Sequence, residues 1–495
     1  MANETLGGNN LGAFAGRRDH SMSLIGGLAL LAAAAGAGIA MEGNSALFLM
    51  LAVVACVFIF MDFRVGVVLL MLLLPLSASS VFPHQLLGIT GLNPLNVLLF
   101  GTLAAYYLRS QRGEAFRGFI PRPLVWLYII PICFAGLLGS RHAGEITPVL
   151  FAMGVLEFHD AAGYLRDILV KPMLFVVFAL LLGTAVARSR DPEKFIIPTV
   201  VSVCVFSSVV MLFVYLSGYS LEDLASSNAR TFFGPIGMQA NDLGRLYAVA
   251  YGLLLFTFAG TDRLEFKLPL LIAMGAVVIG LLCTFSRGAF GGFMLINMLF
   301  LLSRRSPLTF ILFGMALVGL LAVAPGAVYE RIAAGAGGDL NTLSAGRTDE
   351  IWLPLMPEMF KSPIWGSGLL SITWSQAMAH GAMLPVNHPH NAYLQAFLDM
   401  GILGMGLLLA YFYQVWKGFR RLAKDQTISP GLRGFFNGAA AGLLSLLLAG
   451  FVGGNLTPAP EQTYLWLAIG MMYGEQMRSK LAAGASGTAA VAGNK

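Results

Sequence analysis

Residues 386–409, VNHPHNAYLQAFLDMGILGMGLLL, open with two histidines around a proline and close in an unbroken apolar run. A helix needs about 20 mostly apolar residues to cross a bilayer, and this run is one of many that approach that length. Others lie near residues 23–41, 45–61, 65–82, 87–108, 124–140, 168–187, 195–217, 246–260, 268–285, 288–302, 307–325, 434–452 and 462–477. Together they predict an all-α, polytopic integral membrane protein with about 14 transmembrane helices, in a range of about 12–14 because 288–302 is short. Composition agrees. The 495 residues are 57% hydrophobic and 11% charged, with mean hydropathy +0.75, whereas soluble domains carry roughly 25% charged residues.

Alternating the loops across a membrane sorts the charges. One set holds FAGRRDH, LRSQRGEAFRGFIPRP, ARSRDPEK, TDRLEFK, LSRRS, KGFRRLAKD and MRSK, with roughly 22 of the 31 Lys and Arg residues, and is therefore the cytoplasmic set. Both termini then face the cytoplasm and the histidine mouth opens to the other side. The formal charge of +6 is accounted for by these loops, so it implies no nucleic-acid partner. The opposite face keeps Arg141, Arg166, Arg230, Arg245, Arg287, Arg331 and Arg347, and every histidine but His20. Arginine suits planar, bidentate recognition of phosphate or carboxylate, so this face suits an anionic ligand; interfacial anchoring is the alternative for any one of these arginines.

The chain divides into a cytoplasmic tail at 1–22, one membrane domain at 23–480 and a small, polar tail at 481–495 expected to be disordered. Three segments on the histidine side are long enough to fold: 141–167, 218–245 and 326–392. In the last, Ile351, Trp352, Leu355 and Phe360 form an imperfect apolar stripe and Pro354 and Pro357 forbid a long helix. Short helices lying on the membrane surface and roofing a cavity are expected there. Cys56, Cys133, Cys204 and Cys283 all sit in apolar runs without C-x-x-C spacing, which indicates buried thiols rather than disulfides or a zinc site.

Several side chains carry candidate chemistry. Pro389 suits a first helical turn capped by Asn387 or His388, which would put His390 in that turn. The positive end of the helix dipole would keep its imidazole neutral, usable as a base, and would attract anions. On a continuous helix Gly401 lies about 20° and Gly404 about 40° from His390, so a neighbouring helix could approach beneath the histidine. Asn391, Gln395 and Asp399 form a polar stripe that should face a cavity or partner. Helix-packing glycines under an interfacial histidine would produce the same pattern. Ser286 and Arg287 fall where one span ends and the next begins, with Gly288, Gly291 and Gly292 around them. A wedged guanidinium there needs a counter-ion, unless it snorkels to the interface. Arg347 opens the roof segment, with Asp349 and Glu350 as alternative salt-bridge partners, and Arg230 and Asn241 flank a Gly-Pro turn. His380, His388 and His390 diverge too much to favour a metal site. No D-x-D pair, Walker loop or G-x-S-x-G is present.

These motifs, in this order, resemble the O-antigen ligase and polymerase superfamily, whose ligases carry His, then Asn, Ser or Gln, nine residues, then Gly-x-x-Gly. Here the pattern reads HN, AYLQAFLDM, GILG, so the family histidine falls on His390. SRGA at 286–289, GRTDEIW at 346–352 and SPIWGSG at 362–368 also match, and the ordered resemblance covers roughly residues 225–410. It implies a C-type glycosyltransferase-like architecture in a bacterial inner membrane, with the active site facing the periplasm. It further implies a glycan donor on undecaprenyl pyrophosphate, transferred with inversion and without metal, nucleotide or other cofactor. Arg287 and Arg347, and more loosely Arg230, would hold the pyrophosphate, and His390 would activate the acceptor hydroxyl. His388, Asn391, Ser286, Gly401 and Gly404 would support them. The acceptor stays open among a lipid A core, a growing glycan and a protein, since polymerases and protein O-oligosaccharyltransferases share the signature. A transporter of lipid-linked glycans is the reading from another class.

Overall fold

The computed structural model describes residues 45–82, 85–86, 89–91, 93–110, 120–220, 223–224, 232–308 and 346–492, with isolated positions 310, 311, 314, 315, 318, 326, 329, 341 and 344. The tail at 1–22, the expected span at 23–41, Arg230, Arg331, and most of 307–345 lie outside the described residues. Those described form thirteen principal helices and one two-residue hairpin, Gln85–Leu86 with Ile89–Thr90. The helices are α1 (Ser45–Met61), α2 (Phe63–Leu73), α3 (Pro94–Ser110), α4 (Arg122–Glu145), α5 (Ala161–Ala187), α6 (Pro192–Ser217) and α7 (Ala240–Gly260). They continue with α8 (Leu264–Cys283), α9 (Arg287–Arg304), α10 (Leu353–Met359), α11 (Ala392–Lys424), α12 (Pro430–Val452) and α13 (Thr463–Ala492). Seven, α4 to α8 with α11 and α12, are long and apolar enough to cross a membrane. The protein is a polytopic membrane protein.

Two compact units emerge. The smaller comprises Met1–Gly66 and Phe82–Ala105; within its described part Phe48 meets Phe82 edge-on at 5.7 Å and the Cys56 thiol approaches the Val97 carbonyl at 3.8 Å. The larger comprises Val67–Val81 and Tyr106–Lys495 and holds every candidate site residue the structure describes. At its centre α7 packs on α12 through glycines. A Cβ on Gly252 would stand 3.1 Å from the Gly438 carbonyl, so backbone meets backbone, the contact that associates helices where lipid removes the hydrophobic drive. Gly183 of α5 and Gly470 of α13 repeat this, with 3.0 Å between a Gly183 Cβ and the Gly470 carbonyl.

The larger unit has a basic end. There Arg263 pairs with Asp191 at 3.3 Å and Glu193 at 3.4 Å, Arg304 donates to the Ala259 carbonyl, and Arg420 donates to Asn437 at 2.7 Å. Helices α7, α9 and α11 finish at that end, so their N-termini gather at the opposite one, where the candidate residues lie.

Several expectations are corrected. The span expected at 87–108 starts only at Pro94, because Ile89–Thr90 pairs with Gln85–Leu86 as a strand instead. The span expected at 65–82 leaves α-helical geometry after Leu73, since Pro75 takes the place of a backbone donor and a short tighter turn follows. Helix α13 continues to Ala492 through the tail expected to be disordered; alanine has the highest intrinsic helix propensity and needs no apolar face to express it. Of the four cysteines only Cys283 is buried, the other three being half-buried.

Candidate active site at the histidine end

The local chemistry of residues 386–394 decides how the histidines are held. Asn391, not Asn387 or His388, caps α11: its side-chain oxygen accepts from the backbone N–H groups of Tyr393 at 3.0 Å and Leu394 at 3.1 Å. A short amide at the cap position satisfies two donors that the first turn leaves open. His390 therefore stands just before the helix instead of inside its first turn, with φ +52. Pro389 belongs to the approach to the helix, and its carbonyl accepts from the Trp352 indole at 2.8 Å. The His388 and His390 rings meet edge to face, 4.1 Å between centroids.

The glycines beneath also act differently from expectation. α11 is not continuous: Gly401 has φ +65 and ψ −174, which breaks the helix. Into the break fits the SPIWGSG segment, with Ile402 N donating to the Pro363 carbonyl at 2.8 Å and Gly368 N donating to the Asp399 carbonyl at 2.9 Å. A loop, rather than a neighbouring helix, makes the close approach, while Gly404 makes room for the Met400 side chain. Asp399 is buried and accepts from the Ser371 N–H at 3.0 Å and hydroxyl at 2.8 Å. Asp399, the last residue of the polar stripe, thus faces the roof segment, while Asn391 caps its own helix.

Arg347 and the first turn of the helix that Arg287 opens both touch Val452. Ser286 caps α9, accepting from Ala289 N at 3.3 Å, and Arg287 is the first residue of that helix. Val452, where α12 ends, lies 3.0 Å from where a Cβ on Gly288 would be. The Val452 carbonyl accepts from Arg347 Nη1 at 2.8 Å. Arg347 in turn precedes the helical turn Thr348–Trp352 whose indole holds Pro389. Arg287, Arg347, His388 and His390 are thereby tied to one end of the larger unit through Val452 and Trp352. In the expected apolar stripe Ile351 and Leu355 enter a small core with Ile372 and Leu398, whereas Phe360 is exposed.

Beside them lies a buried charged group that the sequence reading did not single out. Arg245, only 5% exposed, pairs with Asp242 one turn earlier on α7 and stands 3.8 Å from buried Glu461. Gly453 and Gly454, directly after Val452, lie over its guanidinium; a Cβ on either would come within 2.9 Å of its nitrogens. Burial, with Asp242 adding, raises the Glu461 carboxyl to about 7 while Arg245 opposes the rise. The His388 imidazole is held below its ordinary value by burial, with Arg245 and Arg347 adding to the effect and Asp242 opposing it. Its buried Nδ1 has no hydrogen-bond partner among the described residues. Arg245 was visible only as one of seven arginines on this face, and Glu461 had no motif; their pairing across α7 and the start of α13 exists only in three dimensions. Among the described residues no three His, Cys, Asp or Glu side chains are grouped to hold a metal ion.

Residues 271–409 match the family model described as O-antigen ligase. Over that stretch the chain is similar to the O-antigen ligase family. The matched stretch takes in Arg287, Arg347, His388, His390, Asn391, Gly401 and Gly404, leaving Arg245 and Glu461 outside it. No curated protein matches the chain.

Proposed function

We propose that the protein moves an oligo- or polysaccharide from undecaprenyl pyrophosphate to an acceptor hydroxyl at the periplasmic face of a bacterial inner membrane. In this reading both termini are cytoplasmic, and the full chain has about 14 spans in a C-type glycosyltransferase-like arrangement. What supports it is a chain of contacts at the end opposite the basic loops: Val452 lies against the start of the helix that Arg287 opens and accepts from Arg347, and Trp352 donates to the carbonyl between the two histidines. Basic loops mark the cytoplasmic side, so the arginine and histidine site faces the periplasm.

The chemistry follows from charge. The acceptor oxygen attacks the anomeric carbon as the bond from that carbon to the phosphate oxygen breaks. The bonding pair leaves with undecaprenyl pyrophosphate, and negative charge grows on the leaving group. Arg287 and Arg347 stabilise that charge, and the Val452 carbonyl fixes the orientation of one guanidinium before substrate arrives. His390 takes the acceptor proton. Direct displacement inverts the anomeric centre, and pyrophosphate supplies its own activation, so the step calls for no metal or nucleotide. Arg230 is proposed as a further donor contact.

The test is His390→Ala, with Arg287→Ala and Arg347→Ala beside it, each expressed in a strain lacking the native gene. Surface glycan is displayed on a gel and protein level measured. Loss of the mature glycan at normal protein level is expected for all three. Normal glycan from His390→Ala sinks the catalytic assignment. The product lost, whether capped lipid A core, long polymer or glycosylated protein, identifies the acceptor. Reconstitution with labelled donor separates transfer from transport, because only transfer makes a new covalent product.

A further inference from the structure

A cavity of about 680 Å³ opens on the same side of the larger unit, between the end of α4 and the stretch from α10 to Gln376. Its lining is unlike that of an anion site. Glu145 and Glu358 face it against a single lysine, Lys361, so fixed charge disfavours phosphate. Glu358 is already oriented, accepting from Lys361 Nζ at 2.9 Å and from the Gln376 backbone N–H at 2.9 Å. Of the serines around it, Ser362 and Ser367 bring hydroxyls, while those of buried Ser371 and Ser375 already donate to Asp399 and to the Ile372 carbonyl. Two indoles provide apolar faces. Trp374 is stacked by His142 at 5.3 Å and 17°, and Trp365 is 56% exposed beside Phe134.

Flat aromatic surface beside fixed carboxylates and hydroxyls suits a ligand with an apolar C–H face and many hydroxyl groups. A lipid chain would strip water from two ion-paired carboxylates, Glu145 beside His142 at 2.9 Å and Glu358 beside Lys361 at 2.9 Å. A phosphate would meet net negative charge. An uncharged sugar ring satisfies both sets of groups.

We infer that this cleft is a saccharide subsite, holding an uncharged pyranose of a glycan substrate away from the reacting carbon; the inference rests on the transferase reading above. The cleft and the histidine pair share a support. Leu355, Ile372 and Leu398 line the cleft and also belong to the small core against which Trp352 packs, and Trp352 holds the carbonyl between the histidines. A sugar seated there is thus placed relative to the base through one rigid block. The ring belongs either to the donor glycan or to a glycan acceptor, and the two sources are separable.

The experiment uses the full chain in lipid nanodiscs. Saturation-transfer NMR follows binding of the host's surface glycan after mild acid has released it from its lipid, with inorganic pyrophosphate as competitor. Wild type and His390→Ala should bind the glycan alike, and pyrophosphate should not displace it. Trp374→Ala and Glu358→Gln should each weaken binding about tenfold, the scale of one stacking or charged hydrogen-bond contact, and Trp374→Phe should restore most of it. In turnover the same variants should raise one KM about tenfold with kcat nearly unchanged. A raised donor KM assigns the ring to the donor, and a raised acceptor KM to the acceptor. Thermal unfolding checks that each variant folds. Unchanged binding in a folded Trp374→Ala and a folded Glu358→Gln, or displacement by pyrophosphate, overturns the subsite. Continued transfer by His390→Ala would overturn the catalytic reading instead, and leaves the binding result standing on its own.

Discussion

Gly401→Ala sets two physical effects against each other, and the structure decides the sign. By helix propensity alone, alanine in place of a helical glycine stabilises by about 1 kcal/mol. At position 401 the backbone stands at φ +65 and ψ −174, a region essentially reserved for glycine, where another residue costs of order 1–3 kcal/mol. The new methyl would also fall within contact of the Ile364 carbonyl and 2.6 Å from Trp365 N. Those atoms are backbone; the Ile364 carbonyl accepts from Leu403 N and the preceding Pro363 carbonyl from Ile402 N, so they cannot swing aside. Overpacking of that kind costs about 1–3 kcal/mol more. The net expectation is a loss of about 1–5 kcal/mol. Gly406, on the same helix with open space for at least 4 Å around the point a methyl would occupy, is the control, and Gly406→Ala should be neutral or gain up to about 1 kcal/mol. Thermal unfolding of both variants in one detergent gives the comparison, and limited proteolysis at 362–368 reports whether the loop has left the break. Should both variants unfold at the wild-type temperature with the loop still protected, the argument for a loop seated in a broken helix is wrong.

Other predictions use the remaining parts of the site. Glu461 titrates near 7 when folded, above its ordinary 4.5, so the folded chain binds this proton more tightly than the unfolded one. Its contribution is fully present below the unfolded value and is lost as pH rises through about 7; Glu461→Gln should flatten this part of the melting-temperature profile between about pH 5 and pH 8. Asn391→Ala removes the cap of α11 and should cost about 1 kcal/mol. Because the cap follows His390 directly, transfer should fall while glycan binding at the cleft stays at wild-type strength. Arg245→Met removes the cation between half-buried Asp242 and buried Glu461 and should destabilise by about 3–5 kcal/mol, read as a lower unfolding temperature; an unchanged temperature would mean the pair contributes nothing to stability.

The spans were legible because lipid imposes one rule on the whole sequence: backbone polar groups must be satisfied within a segment, so an apolar run of the right length becomes a helix. The boundaries found at α4, α8, α9 and α12 fall within a few residues of their apolar runs for this reason. Errors came where a local interaction overrides hydropathy. Apolar residues at 87–90 gave no warning of a hairpin. Regular spacing in HN-x9-GxxG reads as one straight helix, yet a left-handed glycine breaks it and an asparagine starts it one residue beyond the histidine. Ser286 and Arg287 fall between two helices, where the end of one apolar run and the start of the next had put them, whereas the cap made by Ser286 had not been read.

The sequence alone determined that the chain is an all-α, polytopic membrane protein, and where its motif residues lie relative to the apolar runs. Hydropathy and charge act residue by residue, so they survive in a linear reading. Tertiary structure decided the rest: that Val452 joins Arg347 to the start of α9, that Trp352 ties the histidine segment to the roof, and that Arg245 is buried with Asp242 and Glu461. Each of these joins residues far apart in the chain through a backbone carbonyl or a buried charge, and neither leaves a periodic mark on the sequence.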